Sequence, residues 1–205
     1  MNFEKTESKI EQTDLKNKET NSDLLEKNLK VEKPDSVRAK EYKAEYMKNL
    51  ENAEYYSTYK ERLAQTPTEN TGKWTGERGN STFIPHDENA QKELKAHGVD
   101  GIEYKDGIAD FSSVAKETVE IDMIPNRSAN FRKADKACAE KWNQKNFEGK
   151  NNWTIDDVKA WRQKNNYTWH ECIDSKHCEL VPTSIHSKCG HVGGYSECVK
   201  REKNN

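Results

Sequence analysis

Apolar residues are sparse at the start of the chain and become periodic only after residue 36. In residues 1–35 they are too few to bury one face of a helix, so this stretch is predicted to be disordered or a solvated helix. Over residues 36–63 tyrosine, valine and leucine side chains recur roughly at helical spacing, which predicts a helix that stops near Pro67. We interpret residues 1–70 as a charged helical or disordered arm, or a linker, that is dispensable for catalysis.

From residue 72 the pattern changes to short apolar runs punctuated by glycines, which is typical of strands and turns. Residues 102–111, IEYKDGIADF, predict a strand, an Asp-Gly turn and a second strand. The start of another helix is indicated by Thr154 and Asp157, which have the spacing of a capping box. The other elements predicted here are a strand near residues 82–84 and helices over residues 87–96, 131–146 and 154–165.

Residues 167–194, YTWHECIDSKHCELVPTSIHSKCGHVGG, have a more specific pattern. Alternation over residues 167–172 predicts a strand, turn residues follow, and residues 178–181 predict a second short strand. Pro182 ends that strand, after which a brief helix is expected to carry His186 and to end at Gly190. The predicted order is therefore strand, loop, strand and helix.

Composition limits how much of the chain can fold into a core. Of the 205 residues, 32% are hydrophobic and 34% are charged, whereas globular domains are typically about half apolar and a quarter charged. We therefore expect one α+β domain over residues 71–205, preceded by the arm. No apolar stretch is long enough for a membrane span, and the N-terminus lacks the apolar core of a secretory signal. Export would then require a specialised route.

The charge is unevenly distributed, although the formal net charge is only −2. Residues 127–205 carry 15 basic and 10 acidic side chains, whereas the rest of the chain is acidic on balance. A basic region favours a polyanionic partner such as nucleic acid, although an excess of five charges is a weak signal by itself.

Cysteines and histidines cluster in the same part of the chain, which indicates a metal site. Four of the six histidines fall within 22 residues, and four of the five cysteines fall within 27 residues. The cysteine spacings lack the close pairs of a structural zinc site, so free thiols are favoured over a zinc site and over disulfides. These residues are His170, His177, His186 and His191, and Cys172, Cys178, Cys189 and Cys198.

Hydrolysis of a phosphodiester needs an activated water, a nearby cation and stabilisation of the leaving oxygen. Neutral imidazoles can hold one metal ion and leave positions open, while a neighbouring base deprotonates the water. His170 and Glu171 are candidates for this chemistry on the first strand, and His186 and His191 are candidate ligands at the helix. On a regular helix, however, a separation of five residues places two side chains about 140° apart. The helix must therefore break between them.

The segment resembles HNH/endonuclease VII nucleases with a Trp-His-His or Trp-His-Glu signature, which are C-terminal toxin domains of bacterial polymorphic toxins. The resemblance covers about two thirds of the chain, and residues 1–70 lie outside it. The residues that carry it near the site are Trp169-His170-Glu171, Leu180-Val181-Pro182, Ile185-His186 and His191-x-Gly193-Gly194. Upstream it includes Gly72 to Ser81, Gly101-Ile102-x-Tyr104, Ala109-Asp110-Phe111, Arg127, Asn130-Phe131 and Ala134-Asp135.

The resemblance implies a ββα-metal (His-Me finger) nuclease core at about residues 167–194. His170, His186 and His191 would be metal ligands, and Glu171 would be the general base, with the reverse role of His170 as base left open. The middle asparagine of the HNH name has no counterpart in this sequence. The bound ion would be one divalent cation, namely Mg²⁺, Mn²⁺, Ni²⁺ or Zn²⁺.

The function expected from the resemblance is an antibacterial toxin nuclease that cleaves nucleic acid, with DNA favoured over RNA. It would be made in the cytoplasm beside a cognate immunity protein and secreted by a specialised system into the target cell. The alternatives are a zinc-stabilised binding module without catalytic activity and an inactive nuclease homologue. A closed site with four protein ligands would favour the binding module.

Overall fold

Residues 55–204, which are the part of the chain that the structure describes, form two antiparallel sheets and six α-helices in this computed structural model. This architecture confirms the predicted α+β class. The helices are α1 (Tyr59–Gln65), α2 (Glu88–Ala96), α3 (Arg127–Gln144), α4 (Ile155–Lys164), α5 (Thr183–His186) and α6 (Gly194–Asn204). The strands are β1 (Gly72–Trp74), β2 (Thr82–Pro85), β3 (Ile102–Lys105), β4 (Ile108–Asp110), β5 (Glu117–Glu120), β6 (Tyr167–Glu171) and β7 (His177–Pro182).

The first sheet has the strand order β1-β2-β3-β4. Its last two strands are joined by Asp106 and Gly107, which both have positive φ, as an Asp-Gly turn requires. Helix α2 follows β2 and is capped by the Asp87 side chain, which accepts a hydrogen bond from the backbone N–H of Ala90. The predicted hairpin and helix are confirmed in this region, whereas β1 was not predicted.

The second sheet has the order β5-β7-β6, so that the predicted hairpin of β6 and β7 acquires a third strand. The register of the hairpin places His170 opposite Glu179. Helix α5 follows β7 directly, which confirms the predicted order of strand, strand and helix. Strand β5 was not predicted, because its sequence ETVE contains only one strongly apolar residue.

Neighbouring residues of β6 point to opposite faces of the second sheet and therefore enter different cores. Trp169 lies in the core formed with α3 and α4, together with Trp142 and Leu180. On the other face, Val181 of β7 packs with Phe111 in a core that also includes the first sheet. The cross-strand partners His170 and Glu179 are both buried, at 2% and 1% exposure.

Two helices pack against the second sheet, and both confirm predictions in their essentials. Helix α3 begins four residues before the predicted start, because the Asn126 side chain accepts the backbone N–H of Ala129. Helix α4 begins with the predicted capping box, in which Thr154 and Asp157 exchange hydrogen bonds between side chain and backbone.

The helix predicted over residues 36–63 does not agree with the structure in the part of this range that the structure describes. Residues 36–54 lie outside the described range, and α1 begins only at Tyr59. A capping box between Thr58 and Glu61 starts the helix there. The backbone N–H groups of Tyr56 and Ser57 instead donate to the carboxylate of Glu197 on α6. The prediction of a continuous helix up to residue 63 was therefore wrong for residues 55–58. Tertiary and capping contacts satisfy the backbone groups of these residues instead.

No helix in the described range combines the length and the apolar character that crossing a membrane requires.

Candidate metal centre

Three histidines from separate elements meet between β6 and the loop that follows α5. His170 lies on β6, His186 is the last residue of α5, and His191 lies in the loop before α6. One ring nitrogen from each lies within 4.8 Å of those of the other two. The structure therefore brings together the three residues that the sequence suggested as ligands.

The Phe111 ring contacts all three imidazoles and shields this cluster. Its centroid lies 4.6 Å from that of His170, 5.3 Å from that of His186 and 5.2 Å from that of His191. The imidazole centroids are themselves 4.6 to 5.5 Å apart. This buried apolar ring packs against the imidazoles and lowers the polarity of their surroundings.

His186 and His191 would point about 140° apart on a continuous helix, and the end of α5 at His186 removes this difficulty. The helix stops at His186, so His191 is not constrained by helical geometry. Gly190 does not adopt a positive φ. A side chain there is instead excluded because a Cβ atom would lie 2.4 Å from the Gln65 carbonyl oxygen. The predicted break between the two histidines is confirmed, but the prediction that the helix ends at Gly190 was wrong, because it already ends at His186. The glycine is required by close packing and not by a left-handed backbone.

Two further glycines let the loop approach the end of β6 closely. A Cβ atom on Gly193 would lie 2.8 Å from the carbonyl oxygen of Glu171. On Gly194 it would lie 2.3 Å from the carbonyl oxygen of Cys172. These contacts hold the segment that carries His191 against the strand that carries His170.

Desolvation of the three rings favours the neutral imidazole, which is the form that binds metal. Loss of solvation lowers the pKa of His186 to about 3, with a smaller contribution from the nearby His191. It also lowers the pKa of His170 well below its ordinary value, and the other two histidines add to this effect. Desolvation likewise lowers the pKa of His191, although its hydrogen bond with the Cys189 carbonyl opposes the shift.

The hydrogen bonds of these rings fit a metal centre. Nδ1 of His191 lies 2.7 Å from the Cys189 carbonyl oxygen, which fixes the proton on Nδ1 and leaves Nε2 as an acceptor. Nδ1 of His170 and Nε2 of His186 are buried without a hydrogen-bond partner among the described residues. Buried ring nitrogens are normally satisfied, so a ligand in this cluster would explain both atoms. Three imidazoles also leave coordination positions open, as in catalytic zinc sites.

Glu171 lies on the opposite face of β6 from His170 and is held by α3. Its carboxylate accepts hydrogen bonds from Arg127 Nε at 3.0 Å and from Asn130 Nδ2 at 2.7 Å. The Arg127 side chain is 60% exposed, and its guanidinium lies over the Tyr195 ring at 4.6 Å. An oriented carboxylate is thus paired with an arginine that solvent can reach.

The strand that carries both groups is anchored to the helical core. The Trp169 indole N–H donates to Asp135 Oδ1 at 2.8 Å, and Arg162 makes a bidentate ion pair with the same carboxylate. Both partners of this ion pair are largely buried. Trp169 therefore connects the strand to α3 and α4 and takes no part in binding a cation.

The cysteines do not form a cysteine-rich zinc site in the described residues. All five are free thiols and are buried. Only Cys172 belongs to a group that could hold a metal ion, together with His170 and Glu179. Desolvation raises the pKa of Cys172 well above its ordinary value and that of Cys189 to about 12, so these thiols stay protonated in the metal-free protein.

Sequence reasoning missed three residues that contact the proposed site residues. Phe111 and Asn130 entered only as parts of the resemblance, and Glu179 was noted only where an asparagine was lacking. Once the hairpin of residues 167–182 is drawn with its turn, its antiparallel register places Glu179 opposite His170. The contact of Asn130 with Glu171 crosses 41 residues and leaves no local signal.

Comparison with known protein families gives evidence that is independent of the geometry of the site. Residues 101–193 match a family model described as the DNase/tRNase domain of colicin-like bacteriocin. The matched range includes Glu171 and the three histidines, and it covers less than half of the chain. No curated protein and no solved structure gives a significant match. Over this range the chain is therefore similar to a bacteriocin nuclease domain.

Proposed function

We propose that the protein is a metal-dependent endonuclease that hydrolyses nucleic-acid phosphodiester bonds. The observation that carries the proposal is the cluster of His170, which is buried, with His186 and His191, which are partly buried. Two of these histidines have a buried ring nitrogen without a hydrogen-bond partner among the described residues. The similarity of residues 101–193 to a colicin-like DNase/tRNase domain supports the same conclusion.

In this proposal His170, His186 and His191 hold one divalent ion. When bound, such an ion polarises the scissile phosphate and stabilises the negative charge that develops on the leaving oxygen. The contribution of the chain is to present three imidazoles without protons at the ligand atoms and to shield them with Phe111. Mg²⁺, Mn²⁺, Ni²⁺ and Zn²⁺ are all candidates, and imidazole ligands favour Ni²⁺ and Zn²⁺.

Glu171 is proposed as the general base that removes a proton from the attacking water. Each carboxylate oxygen has two lone pairs, so Glu171 can accept from a water while it remains bonded to Arg127 and Asn130. The exposed edge of Arg127 is suited to contact the substrate phosphate beside it. The neutral His170 is the alternative base, and in that case only two histidines would remain as ligands.

A cleavage assay with the purified chain tests the function. Plasmid DNA and, separately, RNA are incubated with metal-free protein to which each of the four ions is added, with and without chelator. We expect cleavage of DNA that the chelator abolishes and that His186→Ala reduces at least 100-fold. His86→Ala is the matched control, since His86 is exposed and far along the chain from the cluster.

The outcomes separate the candidate functions. Cleavage of RNA alone would support the assignment as a nuclease and contradict the preference for DNA. Metal binding without cleavage of either substrate under any ion would contradict the proposal and would favour a binding module or an inactive homologue.

We further propose that the nuclease acts as a secreted antibacterial toxin and is neutralised by an immunity protein in the producing cell. Unchecked cleavage would damage the chromosome of that cell. The basic region of residues 127–205 favours an acidic inhibitor, since complementary charge accelerates association. The test is expression of the chain in a bacterium that lacks the inhibitor, with and without the neighbouring gene. Harmless expression of a chain that cleaves DNA when purified would contradict this role.

A further inference from the structure

The two nitrogens of His170 require different partners. A neutral imidazole has one N–H donor and one lone-pair acceptor, so a ring that binds a metal through one nitrogen must donate a proton through the other. Besides its approach to His186 and His191, a ring nitrogen of His170 also lies within 4.8 Å of a Glu179 carboxylate oxygen and of Cys172 Sγ.

The fold places Glu179 close to a ring nitrogen of His170. It is the cross-strand partner of His170, and facing residues of an antiparallel pair point to the same side of the sheet. Its side chain is 1% exposed, which is costly for a carboxylate unless donors surround it. The Cys172 thiol lies within 4.8 Å of this carboxylate and can donate to it, and the proximity of Glu179 is among the causes that raise the pKa of Cys172.

We propose that Glu179 is a positioning residue, whose carboxylate accepts a hydrogen bond from the ring nitrogen of His170 that faces away from the metal. This inference rests on the proposed function, because it assigns His170 as a ligand. An ionised carboxylate only accepts hydrogen bonds, so it fixes the proton of His170 on the nitrogen nearest to it. The other nitrogen is thereby left as an acceptor for the metal, and its basicity is increased.

Glu179 thus supplies a hydrogen-bond partner for His170, to which the sequence had assigned none. The arrangement matches that of His191, whose Nδ1 faces the Cys189 carbonyl oxygen. Two of the three proposed ligands then have their tautomer set by an oxygen acceptor, one from the backbone and one from Glu179. Cys172 contributes by donating to the same carboxylate and is not itself a ligand.

The test uses the full chain with Glu179→Gln, which keeps the size of the side chain but can donate as well as accept. Long-range ¹⁵N NMR of the metal-free protein at pH 7.5 reports the tautomer of His170, and calorimetric titration with Zn²⁺ reports affinity. We expect one tautomer in the unmodified protein and a mixture in Glu179→Gln, with Zn²⁺ bound about 10- to 100-fold more weakly. Glu140→Gln, at an exposed position of α3, is the control and should retain the tautomer and bind Zn²⁺ within about threefold of the unmodified chain.

An unchanged tautomer and unchanged Zn²⁺ affinity in Glu179→Gln would overturn the inference. X-ray absorption that shows a carboxylate oxygen bound to Zn²⁺, lost in this variant, would also overturn it by making Glu179 a ligand. Should Glu179→Gln fail to fold, Glu179→Asp, which shortens the reach of the carboxylate, provides the same two measurements. The readouts do not require cleavage, so a chain that cuts no nucleic acid would contradict the proposed function and leave this inference to be judged by the tautomer.

Discussion

At the level of single residues, the candidate site depends on histidines whose neutrality is a property of their burial. An exposed imidazole would be partly protonated near neutral pH, whereas desolvation lowers the pKa of all three clustered histidines. The same burial deprives Nδ1 of His170 and Nε2 of His186 of water. Neutral ring nitrogens of this kind are available to bind a cation, and their protonation costs free energy.

Substitution of Glu171 distinguishes a role as general base from a role as metal ligand. We expect Glu171→Gln to retain bound metal within about threefold and to lose at least 100-fold in cleavage, because the amide cannot take up the proton of the attacking water. Metal content by atomic emission and single-turnover cleavage are the measurements. Glu140→Gln, an exposed residue of α3, is the control. Loss of metal in Glu171→Gln would make Glu171 a ligand and contradict its assignment as base.

The stability of the metal-free protein is expected to fall as the pH is lowered below about 6.5. The pKa of His186 is about 3 in the folded chain and near 6.5 when unfolded, so the unfolded state binds more protons between these values. The stabilisation is complete above the unfolded pKa and is lost progressively toward the folded one. Each such histidine contributes up to about 1.4 kcal/mol per pH unit within the window.

Urea unfolding at pH 7.5, 6 and 5 measures this dependence. His186→Gln should show a shallower loss of stability with acid, while His86→Gln, at an exposed position, should follow the unmodified chain. An equal pH dependence in His186→Gln would show that other groups cause the loss.

At the level of elements, the site depends on how one loop meets one strand. The segment between α5 and α6 reaches the end of β6 because Gly193 and Gly194 lie against the carbonyl oxygens of Glu171 and Cys172. Helix α5 has only four residues, so packing of Ile185 and the following loop determine the position of His186 more than helical stability does.

We expect Gly194→Ala to lower the free energy of unfolding by about 1–3 kcal/mol, because its Cβ atom would lie 2.3 Å from a backbone oxygen that cannot move aside alone. Displacement of the loop should also weaken metal binding through His191. Gly76→Ala is the control, since the nearest atom to its Cβ would be a Ser81 side-chain carbon at 3.3 Å. Thermal unfolding and Zn²⁺ titration are the measurements, and equal effects of the two substitutions would contradict the argument.

At the level of the whole molecule, residues 55–70 are packed into the unit that contains the site. Arg62 donates to the carbonyl oxygens of Ser57 and Asp106, and Arg78 donates to those of Leu63 and Thr66 at the end of α1. Arg78 thus satisfies backbone carbonyl groups at the C-terminal end of α1. The domain boundary at residue 71 stays a prediction, and these contacts favour an earlier one.

Truncation distinguishes the two boundaries. We expect a chain of residues 55–205 to unfold at the same temperature as the full chain and to cleave DNA equally well. A chain of residues 71–205 should unfold at a lower temperature, because Glu197 loses the backbone N–H groups of Tyr56 and Ser57 and Arg78 loses its carbonyl acceptors. Equal stability of both truncated chains would confirm the boundary at residue 71.

The sequence by itself determined those features that depend on neighbours along the chain. The Asp-Gly hairpin, the capping box of α4, the strands on either side of residues 172–176 and the clustering of histidines all follow from local propensity and spacing. Strand β5 was missed because a short polar strand is stabilised by its partner β7, and the start of α1 was misplaced because Glu197, 140 residues away from Ser57, binds the preceding backbone.

Only the tertiary structure decided which of the candidate residues share a site. It placed Phe111 against the three imidazoles, Asn130 and Arg127 on Glu171, and Glu179 beside His170. Burial, and with it the pKa of each histidine, is set by packing among distant elements that no local pattern records. The sequence therefore identified the chemical groups, and the fold determined their protonation and their partners.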